Sequence, residues 1–180
     1  YIHMRNDREI IFYDTEFTLL DPKRGELLSI GMVKNESDET LYLELERPPE
    51  DTMDPWVIEH VLPYLHGTPV SKEEARAQIM AFMGPDHPYL MAYVNQFDSM
   101  YWYSLFGDAK QHPAFWIPID FASILFAHGL DPQSMGRQDF FDRIGVKRAG
   151  YDIRPHNALS DAQILKETYQ KFVSYIGNAK

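Results

Sequence analysis

The chain has 180 residues, 44% of them hydrophobic and 24% charged, with a formal net charge of −10 and no cysteine. That size and composition suit one α/β or α+β domain with a substantial core, and the missing cysteines exclude disulfides and thiolate ligands while fitting a reducing cytoplasm. The acidic balance argues against a broad phosphate-binding surface, and no apolar run reaches the roughly 20 residues of a membrane span.

Tyr1 to Met4 reads as a cloning remnant, which leaves residues 5–180 as one domain. Glu9 to Asp14 is expected to form a buried strand, followed by strands at Leu27–Val33 and Thr40–Leu45, the last alternating as a half-exposed strand does. Asp21-Pro22 and Asn35–Asp38 supply turn chemistry between them, so these three strands should form an antiparallel meander. Asp54-Pro55 is a cap and first-turn pair for a helix in which Trp56, Ile58, Val61 and Leu62 share a face. Ser71 and Glu74 form a capping box for a helix running to Met83, which Gly84-Pro85 stops. A short strand over 89–94, a helix ending near Gly107 and an extended piece near Ile117 come next. Helices at about 120–128 and 137–144 precede a last helix over about Ala158–Val173, with Leu159, Ala162, Ile164, Leu165, Tyr169 and Phe172 at helical spacing. The order predicts a mixed sheet flanked by helices.

The apolar run Ile10-Ile11-Phe12-Tyr13 ends in Asp14-Thr15-Glu16, and a strand points both carboxylates to one face. Such a pair is costly unless a cation lies between the two or the strand simply emerges into water. Asp98 falls in the first turn of the helix after the 89–94 strand, where it either caps that helix or meets the first strand's end. His156 stands five residues before Asp161, with four intervening, and Asp161 sits among Leu159, Ala162 and Ile164 on the final helix. A surface histidine and an exposed polar helix face are the plainer explanations for that pair. Taken together, the four acids suit two Mg²⁺ ions about 3.5–4 Å apart, flanking a phosphoryl displacement, with an imidazole as proton acceptor. No phosphate-binding glycine loop or nucleophilic serine motif competes, and the other histidines show no zinc spacing.

Asp14-x-Glu16, Asp98 and His156-x₄-Asp161 resemble the motif set of the DEDDh, or DnaQ-like, exonucleases. The tyrosine subclass would carry Tyr at position 157, where this chain has Asn157. The stretches "FYDTEF", "LLSIGMV", "PWVIEHVLPYL", "NQFDSMYWYSLFG" and "HNALSDA" resemble the RNase AS type of polyadenylate-preferring exoribonuclease over about residues 9–173. The resemblance implies an RNase H-like α/β fold with a mixed five-stranded sheet: the three-strand meander plus two further strands. It also implies two Mg²⁺ ions, replaceable by Mn²⁺, a homodimer, and removal of nucleoside 5′-monophosphates from the 3′ end of single-stranded RNA. On that pattern Asp14 would bridge both ions, Glu16 and Asp161 would hold the nucleophile-side ion, Asp98 the other, and His156 would be general base. Commoner DEDDh members carry Thr-Thr-Gly after the second acid, whereas this chain has Phe17-Thr18-Leu19-Leu20. Phe17 is a candidate to stack on a base, with Thr15, Ser29, Met32 and Trp102 as further substrate-contact candidates; Met32 and Trp102 could equally be core. The metals would act on a phosphate common to RNA and DNA, so a 3′–5′ exodeoxyribonuclease is an alternative. A catalytically silent nucleic-acid-binding module is a more distant one, opposed by the clustered acids.

Overall fold

The computed structural model describes residues 8–108, 110–147 and 156–178; Tyr1–Met4, read above as a cloning remnant, lie outside them. β1 (Ile10–Phe17), β2 (Leu27–Lys34) and β3 (Thr40–Glu44) form the expected meander. β4 (Tyr89–Ala92) and the two-residue β5 (Ile119–Asp120) complete a five-stranded sheet of order β3-β2-β1-β4-β5. β2 is antiparallel to both β1 and β3, while β4 is parallel to β1 and to β5. The fold is therefore the RNase H-like mixed sheet flanked by helices.

Alternation along β1 divides the core. Ile11 and Tyr13 face α2 (Lys72–Met83) and α3 (Asn95–Phe106), packing with Ile79, Tyr101, Trp102 and Leu105. Ile10 and Phe12 face α4 (Phe121–Ala127), α5 (Gln138–Ile144) and α6 (Ala158–Asn178), packing with Phe121, Phe141, Leu165 and Phe172. Sequence-legible caps start and stop these helices. The Ser71 hydroxyl accepts from Glu74 N–H at 3.1 Å, and Gly84 ends α2 with φ 72°. The last helix runs five residues past Val173, to Asn178.

α1 (Pro55–His60) departs from the expected apolar face. Asp54 caps it by accepting Trp56 N–H at 2.8 Å, but it lasts six residues and passes into a 3₁₀ turn at Leu62–Tyr64. Helical spacing therefore does not carry from Trp56 to Leu62. Val57, Val61 and Leu62 bury themselves against Leu28, while Trp56 is left 47% exposed. β4 ends at Ala92 rather than Val94, because Val94 turns into the left-handed region (φ 58°, ψ 53°) to start α3. Among the described residues, no helix is long and apolar enough to cross a membrane.

Candidate active site

β4 pairs with β1 only from Ile10 to Phe12, so the second half of β1 projects past its parallel neighbour. Asp98, on the first turn of α3, fills the open edge. Its Oδ1 accepts the Thr15 N–H at 2.9 Å and the Thr15 hydroxyl at 2.7 Å. Thr15 thus spends both donors on Asp98, holding that carboxylate, while also lining the smaller of two clefts that open from the acids. Asn95 locks the same turn from below: its Oδ1 accepts from Tyr13 and Ser99 hydroxyls, and its amide donates to Ile119 O.

On the other face of β1, Asp14 and Glu16 meet the start of α6. Asp14 pairs with Gly31 on β2. A Cβ built on Gly31 would lie 2.2 Å from Leu159 N and 2.4 Å from Ala158 C, so the missing side chain is what allows α6 to sit on the sheet there. Asn157 caps the helix, its Oδ1 accepting Ser160 N–H at 3.0 Å. Asp161 therefore stands in the first turn, where the helix dipole favours an anion, rather than in a helix interior. Asp14, Glu16 and Asp161 each present an oxygen within 4.8 Å of the others. His156 precedes the cap in the left-handed region (φ 65°), which His tolerates better than most residues.

No ion pair with Lys or Arg relieves Asp14, Glu16 or Asp98 among the described residues. Burial pushes the Asp14 carboxyl well above its usual range, and the Asp98, Glu16 and Asp161 charges add to it. Burial, with Asp161 and Asp98, raises Glu16 to about 8. Asp98 is raised by burial to about 7 even though its two bonds from Thr15 pull the other way. His156 is lowered, by desolvation and then by His60. A cluster of carboxylate oxygens at this spacing fits hard divalent ions such as Mg²⁺ or Mn²⁺.

Two clefts open from the acids. A smaller one, about 430 Å³, runs past Phe17, Leu19, Leu20, Trp56 and Val57 and includes His156. A larger one, about 790 Å³, runs past Tyr93, Val94, Gln133, Gly136 and Arg137. Asp14 and Asp161 line both. Trp56 stacks on His60 (centroids 4.8 Å apart) and meets the His156 ring edge-on at 4.6 Å. Phe17 lines the smaller cleft and stacks on Tyr101 at 4.3 Å. Thr15 lines that cleft too, whereas Ser29, Met32 and Trp102 do not. Met32 and Trp102 are core residues of the α2/α3 face, 0% and 2% exposed, because strand and helix periodicity turn them inward. Ser29, in register with Glu16 and Glu44, is fully buried and lines neither cleft. Sequence reasoning missed Trp56 as a cleft wall. Its signal was the spacing to His60, one helical turn on. It also missed Arg137, which no motif marks.

No protein-family model matches the sequence, and no curated protein matches it either. Solved structures do match in shape. The E. coli exonuclease I–ssDNA complex in its zinc-bound form superposes with a TM-score of 0.66 at 13% identity, over 94% of this chain and 41% of that one. The same enzyme with a dT13 oligonucleotide gives 0.66 at 15% identity, over 93% and 41%. The nuclease domain of 3′hExo, a DEDDh family member bound to rAMP, gives 0.63 at 13% identity, over 93% of this chain and 92% of that one. The chain thus spans about two fifths of exonuclease I and nearly the whole 3′hExo nuclease domain. At these identities the likeness establishes a shared fold: the chain has the architecture of the exonuclease I and 3′hExo nuclease domains.

Proposed function

We propose that the chain is a metal-dependent 3′–5′ exoribonuclease that releases nucleoside 5′-monophosphates from single-stranded RNA. The observation that carries the reading is the meeting of Asp14, Glu16 and Asp161 within 4.8 Å, beside a cleft that His156 lines. The shared fold with a nuclease domain bound to rAMP supports it. In this reading Asp14, Glu16 and Asp161 hold divalent cations, with Asp98, steadied by Thr15, completing the set. Two such ions, Mg²⁺ with Mn²⁺ as substitute, would stabilise charge on the entering and leaving oxygens of the scissile phosphate. His156, kept neutral by its surroundings, accepts the proton of the attacking water. Phe17, Leu20 and Trp56 offer apolar surface to the terminal base. The same reading makes the protein a homodimer in the cytoplasm, its mass in solution testable by sedimentation.

The test is product analysis on matched RNA and DNA oligonucleotides with Mg²⁺. Mononucleotides should appear from the 3′ end of RNA. Asp14→Asn and Asp161→Asn should abolish this with folding intact, and His156→Ala should slow it ~10²–10⁴-fold. Full activity in either acid variant would refute the assignment. DNA is a second reading, favoured by the likeness to the E. coli exonuclease I–ssDNA complex, and faster DNA degradation in the same assay would select it.

A further inference from the structure

The two clefts share Asp14 and Asp161, but His156 lines only the smaller. That asymmetry fixes a direction on the substrate, granted the hydrolytic reading above. In an in-line displacement the water oxygen bonds to phosphorus on the side opposite the bond that breaks. The water's proton goes to His156, and the P–O3′ electron pair departs on the O3′ of the penultimate nucleotide, which solvent protonates. The base and the departing O3′ therefore lie on opposite sides of the phosphate. We propose that the 790 Å³ cleft beyond the acids, walled by Tyr93, Val94, Gln133, Gly136 and Arg137, receives the nucleotide on the 5′ side of the cleaved bond, with Arg137 contacting its phosphate.

The cleft's chemistry suits that occupant. Arg137 is the one cation among the described residues lining it, against the carboxylates Asp14, Asp131 and Asp161. It pairs with Asp139 through Nε (3.1 Å) and Nη2 (2.9 Å), which orients the guanidinium and leaves Nη1 outside the pair. Gly136 faces open space, with no atom within 4 Å of a would-be Cβ, so bare backbone meets the ligand there. The opposite wall is Val94, a β-branched residue in the left-handed region, a conformation costing about 1–3 kcal/mol. Tyr93 ties the two walls together by donating its hydroxyl to Pro132 O at 2.6 Å.

The test compares a single-stranded oligonucleotide with the p-nitrophenyl ester of a nucleoside 5′-monophosphate, whose leaving group carries no 5′-side phosphate. Arg137→Ala should raise the ratio of the oligonucleotide KM to the ester KM about tenfold and lower the salt slope of oligonucleotide binding by ~0.7, one single-strand phosphate contact. Gly136→Phe, which meets no neighbour at Cβ, should raise that ratio further by filling the cleft. An unchanged ratio in both variants, with Tm preserved, overturns the proposal while leaving the hydrolase reading intact. If the parent cleaves neither substrate, the hydrolase reading itself falls. Oligonucleotide binding in Ca²⁺ then decides: equal affinity in parent and Arg137→Ala counts against the cleft, and selective weakening relative to a mononucleotide supports it.

Discussion

The acids of this site carry protons they would lack in water, and that has a sign. Glu16 sits near 8 and Asp98 near 7, with Asp14 raised as well, against unfolded values near 4. Between those limits the folded state binds more protons than the unfolded chain, so metal-free stability is fullest below about pH 4 as regards these groups and is lost as pH rises through 7 and 8. The metal-free Tm should fall between pH 6 and 8.5, by on the order of 5 °C, and Mg²⁺ or Mn²⁺ should restore it, because the ions displace the protons. Asp14→Asn should raise the metal-free Tm at pH 8 and blunt the response to metal. A Tm that ignores both pH and metal across this range would mean the carboxylates are not crowded as described. Asp14 and Glu16 were legible from the period of a strand. The Thr15–Asp98 bonds were not, since they depend on β4 stopping at Ala92 and leaving an edge of β1 open.

At the scale of elements, the site depends on how closely α6 approaches β2. Gly31 sets that distance, with the backbone of Ala158 and Leu159 already inside the space a methyl would need. Gly31→Ala must push α6 off the sheet or distort β2, at about 1–3 kcal/mol of overpacking. It should also move Asp161 away from Asp14, with activity falling at least ~10²-fold, as misplacement of a catalytic group by about 1 Å does. Loss of activity much larger than the loss of stability, read from kcat and Tm on the same preparation, would separate displacement from unfolding. Unchanged kcat would show that α6 has slack. An isolated glycine in a strand is a sequence signal for such an approach, but it does not say which element approaches. The helix caps Asp54, Ser71 and Gly84 were legible because they act within a few residues of chain. The outward turn of Trp56 was not, because it follows from α1 stopping after six residues.

For the whole molecule, the net charge of −10 sets how a polyanion is met. The acidic composition argues against a basic track, and the larger cleft agrees: among the described residues one Arg lines it, together with Asp14, Asp131 and Asp161. Single-strand affinity loses about 0.7 of a log unit per log unit of salt for each phosphate contacted. With one cation among the described residues of the cleft and the site acids neutralised by ions, oligonucleotide binding should show a slope of magnitude near 1 or below. A protein gripping six phosphates would show about 4. The remaining acidic surface repels the strand at long range, and salt screens that repulsion, which flattens the slope further. The measurement is oligonucleotide KM at fixed Mg²⁺ across a salt series. A slope steeper than about −2 would require a run of basic contacts that the described cleft does not contain, and would move the strand's path elsewhere on the molecule.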